Sequence, residues 1–177
     1  MAKTTYVTFK GKARYAKVFE GQQDLGNNLP EGDQKAKFEA VKGYYTLDVE
    51  IDKETKKKMI ADGIPGKGMA GQLFKEFTDK ETGEDILIYR TRREVFNPKF
   101  VDKNTGETGV FRGPPSVVGI EGGATFPWNR EEHGDIGNGS DIAVKVSVWN
   151  DSKVTLEAIR VDNLVEYVRN NTDDVAF

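Results

Sequence analysis

The chain contains no cysteine, which excludes disulfide frameworks, thiolate zinc sites and cysteine nucleophiles. It has one histidine, His133, within Glu131-Glu132-His133-Gly134-Asp135. Imidazole and carboxylates can share a metal, but a lone histidine in a Gly-flanked acidic loop fits a solvated loop better than a metal site. There is no run of 18 apolar residues to span a bilayer, and Met-Ala-Lys-Thr-Thr at the start lacks the apolar stretch of a secretory signal, so a cytosolic protein is expected. No G-x-x-x-x-G-K-[ST] pattern occurs. Gly66-Lys67-Gly68-Met69-Ala70-Gly71 has the G-x-G-x-x-G spacing, but it follows a helical pattern and not a strand, which favours a loop over a dinucleotide site. No cofactor and no catalytic residue are expected.

An excess of positive charge is also missing. The formal net charge is −3, which at first argues against a phosphate-backbone partner. Its distribution changes that conclusion. Lys3, Lys10, Lys12, Arg14 and Lys17 follow one another without an acid between them, and Arg90 to Arg112 holds Arg90, Arg92, Arg93, Lys99, Lys103 and Arg112 against three acids. A locally basic face on a weakly acidic chain can still bind a polyanion.

Within 177 residues, 37% of them hydrophobic, there is material for one core. The alternation over 5–19 predicts a strand with Phe9, Gly11, Ala13 and Tyr15 on one side and Lys10, Lys12 and Arg14 on the other. Gly43 to Ile51 predicts a second strand with Tyr45, Leu47, Val49 and Ile51 inward and Tyr44 outward. Asp52 is placed to cap a short helix through Ile60. The similar turns Asp79-Lys-Glu-Thr-Gly83-Glu84 and Asp102-Lys-Asn-Thr-Gly106-Glu107 predict two hairpins, 73–78 with 86–93 and 95–101 with 109–112. Glu121 to Ser140 reads as a long Gly-rich loop. Ile142–Trp149 and Val154–Val161, joined at Asn150-Asp151-Ser152, form the last hairpin, followed by a helical turn or two over 162–168. Hairpin-linked strands with one mid-chain helical segment indicate a mainly β fold, a small closed or partly open barrel.

Candidate binding residues follow from the pairing of cations with rings, since guanidinium and ammonium groups neutralise phosphates and aromatic faces stack bases with little sequence preference. Lys10, Lys12, Arg14, Arg90, Arg92 and Arg93 are the candidates for phosphates, and Tyr15, Tyr44, Phe96 and Trp149 for stacking. The ordinary alternative is that the rings are core and the cations solvated. Repetition of the pattern on three strands favours a groove.

Ile136-Gly-Asn-Gly-Ser140-Asp-Ile-Ala-Val144-Lys-Val-Ser-Val148-Trp149, with Val154 to Val161 and Leu164-Val-Glu-Tyr167, resembles the closing hairpin of bacteriophage single-stranded DNA-binding proteins. Ala13-Arg-Tyr15-Ala-Lys-Val18 and Gly43-Tyr-Tyr-Thr-Leu47-Asp-Val49 resemble that family's first two strands. The resemblance implies a five-stranded oligonucleotide-binding (OB) barrel over 1–168 with an extra hairpin, and a short acidic tail over 169–177. It implies a protein that coats single-stranded DNA in phage replication or recombination, in the cytoplasm of the infected host. The ending Asp173-Asp174-Val175-Ala176-Phe177 is similar to the tips through which such proteins contact a polymerase, a helicase or another replication protein, or a second copy in a homodimer. No membrane partner is implied. DNA and RNA offer the same phosphates and stackable bases, so the choice between them stays open. The rival reading is a structural, self-assembling β-barrel such as a virion component.

Overall fold

The computed structural model describes residues 3–27, 29–67, 71 and 73–165. The strands are β1 (Thr4–Lys17), β2 (Tyr44–Ile51), β3 (Phe74–Thr78), β4 (Asp85–Glu94), β5 (Phe96–Val101), β6 (Thr108–Phe111), β7 (Ser116–Glu121), β8 (Ala124–Pro127), β9 (Asp141–Trp149) and β10 (Lys153–Asn163). The helices are α1 (Asp33–Ala40), α2 (Lys53–Asp62) and the single turn α3 (Arg130–His133). One eight-stranded sheet has the order β3-β4-β2-β1-β9-β10-β7-β8, and β5 and β6 form a separate hairpin.

The long strand β1 organises the sheet. Its first part pairs with β9 from Thr4↔Trp149 to Lys12↔Asp141, and its last part pairs with β2 from Lys12↔Glu50 to Lys17↔Thr46. Between Arg14 and Lys17 the register slips, and Tyr15 takes a φ of 50°. A bulge of this kind bends the strand and re-aims a side chain. Tyr15 is therefore exposed and not on the inner side with Phe9 and Ala13, as strict alternation predicts. Gly11 answers a second constraint, since a Cβ there would lie 2.4 Å from the Glu50 carbonyl oxygen.

Alternation elsewhere produces most of the core, and a second register shift, in β10 between Leu156 and Ala158, brings Leu156 and Ile159 into it together. Val7, Phe9, Leu47, Val49, Tyr89, Val144, Val146, Leu156 and Ile159 are buried together, and Met59 of α2 and Ile64 just beyond it join them. Asp52 caps α2 by accepting a hydrogen bond from the Thr55 N–H at 2.7 Å. Burial of this continuous apolar set drives the sheet to curl.

The backbone ladder does not close the curl, and side chains span the remaining seam between β4 and β10. Arg93 donates to the Leu156 carbonyl at 3.3 Å and to Glu157 at 3.2 Å, and Lys153 pairs with Glu94.

The two predicted hairpins form, with Gly83 and Gly106 at φ 72° and 74°. The 121–140 stretch, read as loop, contains β8 and α3, while α1 before β2 and β7 after β6 lie in stretches where the sequence showed no element. Short elements in Gly-rich sequence have too few apolar residues for a visible period. β10 extends to Asn163, past the point where helical turns were expected, and 166–168 fall outside the described residues. Gly66 to Gly71 follows α2, and its residues 68–70 also fall outside the described residues.

Candidate nucleic-acid interface

The alternation that buries odd-numbered residues of β1 and β2 turns the even-numbered ones outward, and the strand registers line these up in rows. One row is Lys12, Glu50, Ile88 and Lys75; the next is Arg14, Asp48 and Arg90; past the slip in β1, Lys17 joins Thr46 and Arg92 in a third. Tyr44 and Glu94 end the face. Cations thus gather where the sequence suggests, but the carboxylates of β2 lie between them.

Those carboxylates already hold two of the predicted phosphate ligands. Arg90 donates to both oxygens of Asp48, at 3.1 and 3.3 Å, and this bond holds the guanidinium above its usual pKa. Arg14 donates to Glu50 at 3.1 Å. Arg92 has no carboxylate within 4.0 Å among the described residues, and its guanidinium lies 4.6 Å from the centre of the Tyr44 ring. Tyr44 sits on the outer face as predicted, yet it is only 8% exposed, because Phe38 of α1 packs edge-on against it at 4.9 Å while Arg92 covers it. Burial pushes its phenol pKa up, with Arg92 opposing. Tyr44 is thus the support beneath Arg92, a cation–π contact that leaves the guanidinium as the exposed group of the pair.

The β5–β6 hairpin stands beside this pair, tied to it by bonds from the Val95 N–H to the Gly43 carbonyl and from the Phe96 N–H to the Val41 carbonyl. Phe96 is half-buried against Phe111, with ring centres 4.8 Å apart, and Phe111 itself is 70% exposed. Tyr15 is exposed at the β1 side. Arg92, Lys12 and Lys17 thus lie on the outward rows of the β2–β4 face, Lys12 3.8 Å from Asp141, and Tyr15 and Phe111 are exposed on β1 and on the adjoining hairpin.

Three predicted residues lie elsewhere. Arg93 follows the inward parity of Tyr45 and braces the β4–β10 seam, also donating to the Gly113 carbonyl at 2.9 Å. Lys10 and Trp149 lie on the outer face of β1 and β9, on another part of the barrel wall, with Lys12 at the junction. Asp173, Asp174 and Phe177 fall outside the described residues.

Lys17, Phe38 and Phe111 were not among the candidate binding residues. Lys17 carried a usable signal as the last of the acid-free cations, whereas Phe38 and Phe111 matter through neighbours distant in sequence.

His133 is part of a turn. Its Nδ1 accepts a hydrogen bond from the Asn129 N–H at 2.9 Å, and its ring packs 5.0 Å from Trp128 and 5.2 Å from Phe126. Among the described residues no group of three His, Asp or Glu is placed to hold a metal ion.

Strands β1, β2, β4, β9 and β10, in the spatial order β4-β2-β1-β9-β10 with β4 meeting β10 across the seam, are the five strands of an OB-type barrel. In that class the outer face of the second and third barrel strands, here β2 and β4, and the adjoining loops bind oligonucleotides. No family model matches the chain, and no curated protein matches it by sequence.

Its structural neighbours among solved proteins are bacteriophage single-stranded DNA-binding proteins. The single-stranded DNA-binding protein from bacteriophage Enc34 matches with a TM-score of 0.50 at 12% identity, over 94% of this chain and 86% of that one. The same protein in complex with single-stranded DNA matches with a TM-score of 0.53 at 12% identity, over 93% and 89%. Its C-terminal truncation gives 0.50 at 13% identity, over 92% and 88%. At this identity the likeness is one of fold.

Proposed function

We propose that this protein binds single-stranded DNA without catalysing a reaction, and that it coats exposed strands during phage replication or recombination in the host cytoplasm. The observation that carries the reading is Arg92 resting on Tyr44, which Phe38 packs edge-on, on the β2–β4 face of an OB-type barrel, with Lys12 and Lys17 in its outward rows and Tyr15 and Phe111 exposed nearby. Bound bases stack on Arg92, Tyr15 and Phe111, and phosphates meet Lys12, Lys17 and the edge of Arg92. Arg14 and Arg90 lie in the same field and reach the backbone only by leaving Glu50 and Asp48. The fold shared with phage single-stranded DNA-binding proteins supports the same reading. Asp173, Asp174 and Phe177 are proposed to contact a replication protein.

The test is fluorescence anisotropy of labelled oligo-dT against the protein over a range of salt, beside a duplex of equal length. Tight binding to the single strand, weakening by a slope of about −0.7 per phosphate contact, is the expected result. No binding at low salt overturns it, and salt-resistant self-association in the same samples would turn the reading to a self-assembling barrel.

A further inference from the structure

The outer face of β1, β9 and β10 carries a second set of rings and cations. Tyr6 is 60% exposed and Trp149 50% exposed, and the pairings Tyr6↔Ser147 and Thr4↔Trp149 put them on the same face one outward row apart. Lys145, opposite Thr8, holds its ammonium 4.8 Å from the centre of the Tyr6 ring. Two outward rows from Tyr6, Lys10 and Ala143 open into a cleft of about 440 Å³ whose lining also includes Met59 and Lys58 of α2 and Arg160 of β10.

The charges on this face are unevenly satisfied. Its acids are each held: Asp141 by Lys12 at 3.8 Å, Glu157 by Arg93 at 3.2 Å, and Asp162 by Arg160 at 2.6 Å. Lys10 and Lys145 have no carboxylate within 4.0 Å among the described residues. Lone lysines beside two open aromatic faces complement an anion that also offers flat apolar surfaces, which describes a single strand of nucleic acid. From the Thr4 row to the Lys10 row the face runs about 20 Å, six residues at strand rise, the reach of a few nucleotides.

We propose that this face is a second track for single-stranded DNA, joined to the β2–β4 face at Lys12, so that a long strand wraps the barrel while a short one occupies the β2–β4 face alone. The proposal rests on the function proposed above, and strand length separates the two. Affinity is measured for oligo-dT of about 8 and about 35 nucleotides, the range spanned by one and several OB sites. The proteins compared are the native chain, Tyr6→Ala/Lys145→Ala, Lys10→Ala/Lys145→Ala, which keeps both rings, and Arg92→Ala, each with its melting temperature.

Both double variants are expected to melt as the native protein does, to bind the short strand within about twofold, and to lose about tenfold on the long one, with a shallower salt slope. Arg92→Ala should weaken both lengths. Unchanged long-strand affinity in both double variants overturns the second track, as does equal loss on both lengths. If the native protein binds neither length, the proposed function itself has failed.

Discussion

Arg90 and Arg92 are two residues apart, point the same way and are chemically identical, yet their neighbours give them different work. Asp48, its side chain 12% exposed, grips Arg90 with both oxygens, so phosphate would have to displace a charge-assisted pair. Arg92 rests on a ring and is available. Arg92→Ala should therefore lower single-strand affinity by about 1–3 kcal/mol, the scale of one stacking contact. Asp48→Asn should raise affinity and steepen the salt slope by about 0.7, because it removes a negative charge and frees Arg90; unchanged salt titrations of that variant would place Arg90 outside the binding field. Tyr89 poses a different question. Its ring packs with Phe9 and Phe74, burial pushes its phenol pKa up, and its hydroxyl has no hydrogen-bond partner among the described residues. Tyr89→Phe is expected to be neutral or to stabilise by up to about 1 kcal/mol in denaturant melts, since it removes an unsatisfied buried group and keeps the ring.

Elements meet at the β4–β10 seam, where a barrel without a complete ladder depends on side chains. Arg93→Ala removes bonds to the Leu156 and Gly113 carbonyls and to Glu157, and leaves Glu157 without its cation. A loss of about 1.5–3 kcal/mol in urea unfolding is expected, with single-strand affinity of the folded fraction little changed. At the other end of the barrel α2 starts at Asp52, whose carboxyl is held below its usual range chiefly by the hydrogen bond with Thr55. A depressed folded pKa means that the capping contribution is fully present above the unfolded carboxylate pKa, about 3.9, and is lost as pH falls through the folded value below it. Asp52→Asn keeps an N-cap acceptor without the charge, so helix loss below about pH 4 should be less steep by circular dichroism than in the native chain. The hairpins around Gly83 and Gly106 and the turn at Asn150-Asp151, with φ of 53° and 54°, were legible in sequence because the turn itself demands those residues. The elements α1, α3, β7 and β8 were not, being short and without a sustained apolar period.

The whole molecule is held by one core to which all five barrel strands contribute, so Leu47→Ala should cost about 2–5 kcal/mol and move a single cooperative transition, with tryptophan fluorescence and far-UV circular dichroism coinciding. Separate transitions would mean that the curled sheet is not one unit. The sequence by itself determined the five barrel strands, most of their inward faces and the hairpin turns, since period-two alternation and left-handed turn positions are local properties of the chain. It also marked the acid-free run from Lys3 to Lys17 and the arginines of β4 as the basic surface. Only the tertiary structure decided how those charges are used. The register of β1 on β2 and β9 set Asp48 and Glu50 against Arg90 and Arg14, turned Arg93 into a brace, buried Tyr44 beneath Arg92, and divided Lys10 and Trp149 from the β2–β4 face. Pairing between residues tens of positions apart depends on sheet order and curl, and a local pattern carries no record of either.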